Sequence, residues 1–279
     1  MNRVIHDRIA KIILIVVTVI TLSPFIAIIS DIMFKGILHI NIELITEYPR
    51  KLGLEGGALN AIVGSILMIA LACIFAMPIS IGGAIYLSEY LESEKLRNIL
   101  EFMVDTLAGV PSIVFGAFGY IFFAYFLRLG ACWLTASLTL ALMMLPIMLR
   151  TAEEALRFVP VELKEAAYSL GASKWQVISN VSLNIAAPAI ISGILLGIAR
   201  VFGETAPLLL TTGYNFFSPS SFLEGIATMT VTIFMWVESP FPELVNRAYA
   251  LGFILLIIVI GIDVLANLLS RYFARHMVK

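Results

Sequence analysis

Long apolar runs separated by short polar stretches dominate the chain. Residues 12–34, 59–87, 106–127, 131–149, 189–210 and 249–269 carry few or no charges. A helix needs about 20 apolar residues to cross a hydrocarbon core of about 30 Å, and each run is near that length. At that depth no water can satisfy an open peptide group, so helix is the predicted state of all six. A shorter apolar run, 222–237, is broken by Glu224 and is too short to span with ease. The pattern predicts a re-entrant or interfacial helix there. Arg3, Arg8 and Lys11 precede the first run, as in a signal peptide. That run outlasts a signal-peptide core of about 7–15 residues and reads as an uncleaved span. The predicted fold class is all-α integral membrane with six transmembrane helices.

Composition agrees with the pattern. Of the 279 residues 60 % are hydrophobic and 13 % charged, with a mean hydropathy of +0.99. A soluble domain carries about 25 % charged residues, so a water-soluble enzyme, a disordered regulator and a nucleic-acid binder are all excluded. The net charge of −1 provides no basic field for nucleic acid. Cys73 and Cys132 lie in apolar runs, and His6, His39 and His276 stand singly, so neither a disulfide framework nor a metal site is expected. With the N-terminus inside, twelve of the 18 Lys and Arg fall on the cytoplasmic side and five outside. Both termini are therefore predicted to be cytoplasmic. Arg200 is left over, inside the fifth run.

Arg200 and Glu204 both interrupt the run 189–210. A charge at the centre of a span costs about 2.5–3.5 kcal/mol on insertion scales, so such residues are functional by default. At about 100° per residue, Gly193, Gly197, Arg200, Glu204, Pro207 and Thr211 share one helix stripe. The small residues of that stripe admit close approach of a neighbouring helix, and the charges would face protein or a hydrated path. Two readings follow. Arg200 and Glu204 form a structural i,i+4 ion pair, or the planar guanidinium of Arg200 binds an oxyanion while Glu204 holds it and compensates its charge. Elsewhere Gly109 and Pro111 predict a kink in the third run, and Pro78 and Pro146 predict kinks in the second and fourth. Asp263 is expected to pair with Arg271 or Arg275 at a helix end. Trp236 and Tyr249 read as aromatic anchors at the outer interface.

The stretch 150–188 is the most charged in the chain. Within it Pro160 suits a first helical turn, Gly171 a left-handed cap and Ser173 the next N-cap, which predicts helix–turn–helix. Leu163, Ala166, Ala167 and Leu170 form an apolar face, opposite Glu162, Glu165 and Ser169. Such a short amphipathic helix is suited to a groove in a soluble partner, or is a solvated loop helix.

Glu165-Ala166-Ala167-x-x-x-Gly171, followed by Val181-x-Leu183, resembles the EAA loop of permease subunits of ATP-binding-cassette importers. Asn184 stands where that pattern has proline. The stretch Arg200-Val201-Phe202-Gly203-Glu204-Thr205-Ala206-Pro207-Leu208-Leu209 is similar to the signature of phosphate permeases of the PstA type, as are residues 85–90, 107–116 and 236–250. The resemblance covers most of the chain from Gly56 onward. It implies the type I importer permease fold, with a first helix and outer loop (1–58), a permease core (59–270) holding a coupling loop (159–184), and a cytoplasmic tail (271–279). It implies a substrate pathway at Arg200, Glu204 and Thr205, and contact with the ATPase at Glu165, Ala166, Ala167 and Gly171. Gly193, Gly197, Gly109 and Pro111 then serve packing and kinking. The partners implied are a PstC-type permease, an ATPase dimer and an extracytoplasmic phosphate-binding protein, in a prokaryotic inner membrane. No Gly-Lys dipeptide occurs, so no Walker A loop is present, and the permease is not expected to be an enzyme. ATP and magnesium would be bound by the partner ATPase. The rival functions are a permease for sulfate or molybdate and an ion-driven secondary transporter.

Overall fold

The computed structural model describes residues 2–277, with side chains over 10–269. Helix α1 (Asn2–His39) leads to a short α2 (Ile42–Thr46) and a two-residue antiparallel ladder, β1 (Pro49–Arg50) with β2 (Glu55–Gly56), pairing Pro49 with Gly56 and Arg50 with Glu55. Helix α3 (Leu59–Ile85) ends in a π-helical segment, Tyr86–Tyr90. Helices α4 (Glu94–Ala108) and α5 (Ser112–Gly119) follow, and α5 runs on as a second π-helical segment, Tyr120–Phe126. Then come α6 (Trp133–Arg157), α7 (Val161–Ser169) and α8 (Lys174–Val177). A third π-helical segment, Ile178–Ser182, joins α8 to α9 (Leu183–Phe202), and α10 (Ala206–Thr211), α11 (Met229–Val237) and α12 (Pro242–Met277) complete the order.

Helix α6 is the centre of the bundle, packed on α3 along one side and α9 along the other. Small side chains allow this. Ala61, Ala72 and Ala76 of α3 and Ala136 of α6 are fully buried. The buried hydroxyl of Ser137 donates to the Met68 carbonyl at 3.1 Å, which satisfies the serine without water. By contrast α1 exposes almost every large side chain, as a helix in lipid does, and packs on α12. Gly36 makes that contact close: a Cβ there would lie 2.5 Å from Phe253 Cβ.

Among the described residues, five helices are long and apolar enough to cross a membrane, and a bent pair makes up to six. The bent pair corrects the third predicted span, 106–127. α4 and α5 meet at 95°, and α4 has no buried residue. Pro111 dictates the break, since it lacks an N–H and drives Val110 out of helical geometry. Gly109 has a φ of −84°, which any residue adopts, and the nearest atom to a Cβ there is Thr106 O at 3.5 Å. The fifth predicted span is also divided, between α9 and α10. The apolar run after residue 222 forms α11, nine residues and about 14 Å long at 1.5 Å per residue. Its Trp236 is 4 % exposed and packs against Gly53, so the predicted interfacial anchor is a core residue. The Asp263 ion pair predicted with Arg271 or Arg275 involves side chains outside the described residues.

Candidate functional site

Arg200 lies in the last turn of α9, not at the middle of a span. The helix stops at Phe202. Gly203 is its C-cap, Glu204 donates its backbone N–H to Val201 O at 3.2 Å, and Thr205 precedes the first residue of α10. Thr230 holds the break from outside by donating its hydroxyl to the Glu204 carbonyl at 2.8 Å. The single stripe predicted through residue 211 is therefore corrected, because helical periodicity ends at 202. Its glycines face α6: a Cβ on Gly193 would lie 2.4 Å from Thr151 Cγ2, and one on Gly197 would lie 3.0 Å from Met148 Cε. Pro207 and Thr211 are buried, Pro207 against Gly116 of α5. Arg200 is exposed, and Glu204 and Thr205 are half-buried. Among the described residues the Arg200 guanidinium makes no ion pair, so of the two readings the structural pair with Glu204 is not formed. Glu204 lies past the helix end, where i,i+4 geometry no longer aims its carboxylate at the arginine.

The predicted helix–turn–helix is present. Pro160 stands one position ahead of α7, as its N-cap. Gly171 has a φ of +84°, the left-handed conformation that favours glycine, and its N–H donates to Tyr168 O at 2.9 Å. Ser173 and Gln176 form a capping box at the start of α8. Asn184 does not interrupt the chain's course: its side chain donates to Asn180 O at 2.8 Å within the continuous helical run. Glu165 and Ala166 are exposed and Ala167 is half-buried. Leu170, at 89 % exposed, and Phe158, at 86 %, present apolar surface on the same loop. A shallow cavity of about 390 Å³ opens between Ala167, Leu170, Gly171, Gln176 and Asn180.

One helical run joins the two predicted sites. It extends 29 residues from Lys174 to Phe202, about 40 Å at 1.5 Å per residue, with the loop at one end and Arg200 at the other.

Sequence reading missed a set of charges at the loop end. Arg150 of α6 faces Glu153 at 3.2 Å, Glu101 and Glu154 each at 3.4 Å, and Asp105 at 3.7 Å. Arg157 pairs with Glu101 and with Glu153 at 2.8 Å. Glu153 is 1 % exposed. These contacts pin α4 to α6. A separate pair, Lys164 to Glu89 at 2.7 Å, ties α7 to the π-helical end of α3. No local motif marks the pairs between elements, which bridge long stretches of sequence, 56 positions from Glu101 to Arg157 and 75 from Glu89 to Lys164.

The family described as binding-protein-dependent transport system inner membrane component matches residues 76–279. The phosphate transport system permease protein PstA of Yersinia pestis is 39 % identical over 236 residues, covering 84 % of this chain and 80 % of that protein. PstA of Haemophilus influenzae is 35 % identical over 242 residues, covering 87 % and 84 %. Among solved structures, a bacterial alginate ABC transporter in complex with its alginate-bound periplasmic protein superposes with a TM-score of 0.64 at 15 % identity, covering 97 % of this chain and 96 % of that one. The inward-facing MetNI methionine ABC transporter gives 0.60 at 16 % identity, covering 78 % and 94 %. At such identity these two speak for the fold, which is that of type I importer permeases. The family match and the sequence relatives place the chain in the binding-protein-dependent transport system inner membrane component family, among the phosphate permeases of the PstA type.

Proposed function

We propose that this chain forms half of the translocation pathway of an ATP-driven phosphate importer, with Arg200 as the residue that meets the anion. The observation supporting this most is the helix break after Phe202, beside an exposed guanidinium with no carboxylate partner among the described residues. A guanidinium fork matches two oxygens of phosphate, and without a bound carboxylate it is free to do so. Glu204 and Thr205 line the break, where Glu204 disfavours leakage of other anions and the Thr205 hydroxyl offers a further hydrogen bond. The other half of the pathway belongs to a PstC-type permease. An extracytoplasmic phosphate-binding protein delivers the cargo, and both termini face the cytoplasm.

Glu165, Ala166, Ala167 and Gly171 dock on one of two ATPase subunits, which bind the ATP and magnesium. Their displacement travels along the 29-residue run to the break. Coupling of this kind requires the loop to make different contacts in the two states, since a ligand shifts an equilibrium only through differential affinity.

Uptake into proteoliposomes by the assembled complex tests the reading. Phosphate uptake is expected, with loss in Arg200→Ala while the subunits still co-purify. Retention of the parental rate in that variant overturns the role of Arg200. Competition by sulfate or molybdate as strong as by phosphate overturns the choice of cargo. Glu165→Lys is expected to detach or uncouple the ATPase, and full transport in that variant overturns the docking role.

A further inference from the structure

The ion pair between Lys164 and Glu89 sits where motion of the loop would enter the rest of the bundle. Its N–O distance is 2.7 Å, and the two side chains are only 18 % and 9 % exposed. Around it the faces of α7 divide. Glu162, Glu165 and Ala166 are open to a partner, while Lys164 is turned inward to its own chain. Glu89 belongs to the π-helical segment Tyr86–Tyr90 that ends α3. π-helical turns are rare and are frequent at functional sites. Two further contacts grip that segment. Lys174, the first residue of α8, lies 4.5 Å from the centre of the Tyr90 ring. Arg97 of α4 donates to the carbonyls of Leu91 at 2.5 Å and Leu87 at 3.3 Å, which takes up main-chain acceptors left at the helix end.

We propose that Glu89 and Lys164 are positioning residues of the transport cycle, forming an ionic link that carries displacement of the α7 loop into α3 through the π-helical segment. The link gives the loop a second route into the bundle, beside its covalent continuation through α8 into α9. A shielded pair suits such a link, because screening is weak there and the partners move together or separate outright. The proposal rests on the reading of α7 as the ATPase-docking element.

A double-mutant cycle on the reconstituted complex tests it, read as phosphate transported per ATP hydrolysed and as stimulation of hydrolysis by the loaded binding protein. Glu89→Gln and Lys164→Met are each expected to lower transport per ATP about fivefold, with the double variant no worse than either single one. A ratio within about twofold of the parent in either single variant overturns the link, and so does a double variant showing the product of the two losses. The parent complex provides a measurement that needs no variant. Amide hydrogen exchange over residues 86–91 is expected to change when ATP is trapped, and unchanged protection overturns the proposal. A parent complex that hydrolyses ATP under control of its binding protein but moves no phosphate would overturn the cargo assigned above, and the link is then decided by stimulation of hydrolysis across the cycle and by the hydrogen exchange.

Discussion

The two ends of the membrane bundle treat arginine in opposite ways. At the loop end, Arg150 and Arg157 are surrounded by Glu101, Asp105, Glu153 and Glu154, and Glu153 is almost completely shielded. At the far end of α9, Arg200 is exposed and meets no carboxylate among the described residues. The first arrangement uses charge as mortar, fixing the amphipathic α4 against the central α6. The second leaves a cation available to a mobile anion. A guanidinium near a membrane is therefore no guide to function by itself; what neutralises it decides.

The comparison breaks most decisively at Arg200. Arg200→Ala is expected to lower phosphate uptake about 100-fold or more, while the unfolding midpoint of the assembled complex stays where it was; Arg200→Lys keeps the charge but loses the bidentate fork, and falls between. Equal uptake by the parent and the alanine variant would put Arg200 in the same class as Arg150. Glu153→Ala is expected to behave in reverse. The arginines left behind are 33 % and 39 % exposed and keep Glu101, so the loss is expected to be that of charged hydrogen bonds, about 1.5–3 kcal/mol, read from thermal unfolding in detergent, and an unmoved midpoint would deny the cluster its structural role. Gly193→Val, which forces a side chain onto Thr151 where α9 crosses α6, is expected to cost about 1–3 kcal/mol in the same assay. The smallest effect belongs to Gly109→Ala. With no close neighbour and an ordinary φ, it is expected to change stability by about 0.5 kcal/mol or less, leaving Asp105 near Arg150. A large loss there would shift the origin of the elbow from Pro111 to the glycine.

Much of the fold was legible because its causes are local. An apolar run must be helical in lipid, and all six runs contain helix. The caps at Gly171 and Ser173 were legible for the same reason, since their partners lie within three residues. The third span, expected to kink, and the fifth, read as continuous, are both divided. Pro111 carried a readable signal of a break, but its 95° bend depends on how α5 packs on α6 and α10. The stop at Gly203 carried almost none, because the apolar pattern runs on to Leu210 while the backbone turns to be held by Thr230. Trp236 was misread because an aromatic at a run's edge looks alike whether it meets lipid headgroups or Gly53.

The sequence by itself determined that this chain enters a membrane, which segments become helices, and that its loop and its charged break carry family motifs. Those properties follow from the hydropathy of neighbouring residues and from hydrogen bonds closed within a few positions. Only the tertiary structure decided which charges are neutralised from afar: Arg150 and Arg157 by Glu101 in addition to Glu153 on their own helix, Lys164 by Glu89, and Arg200 by none among the described residues. Electrostatic neutralisation depends on distance through space, and the chain brings Glu89 to Lys164 across 75 positions with nothing in between to announce it.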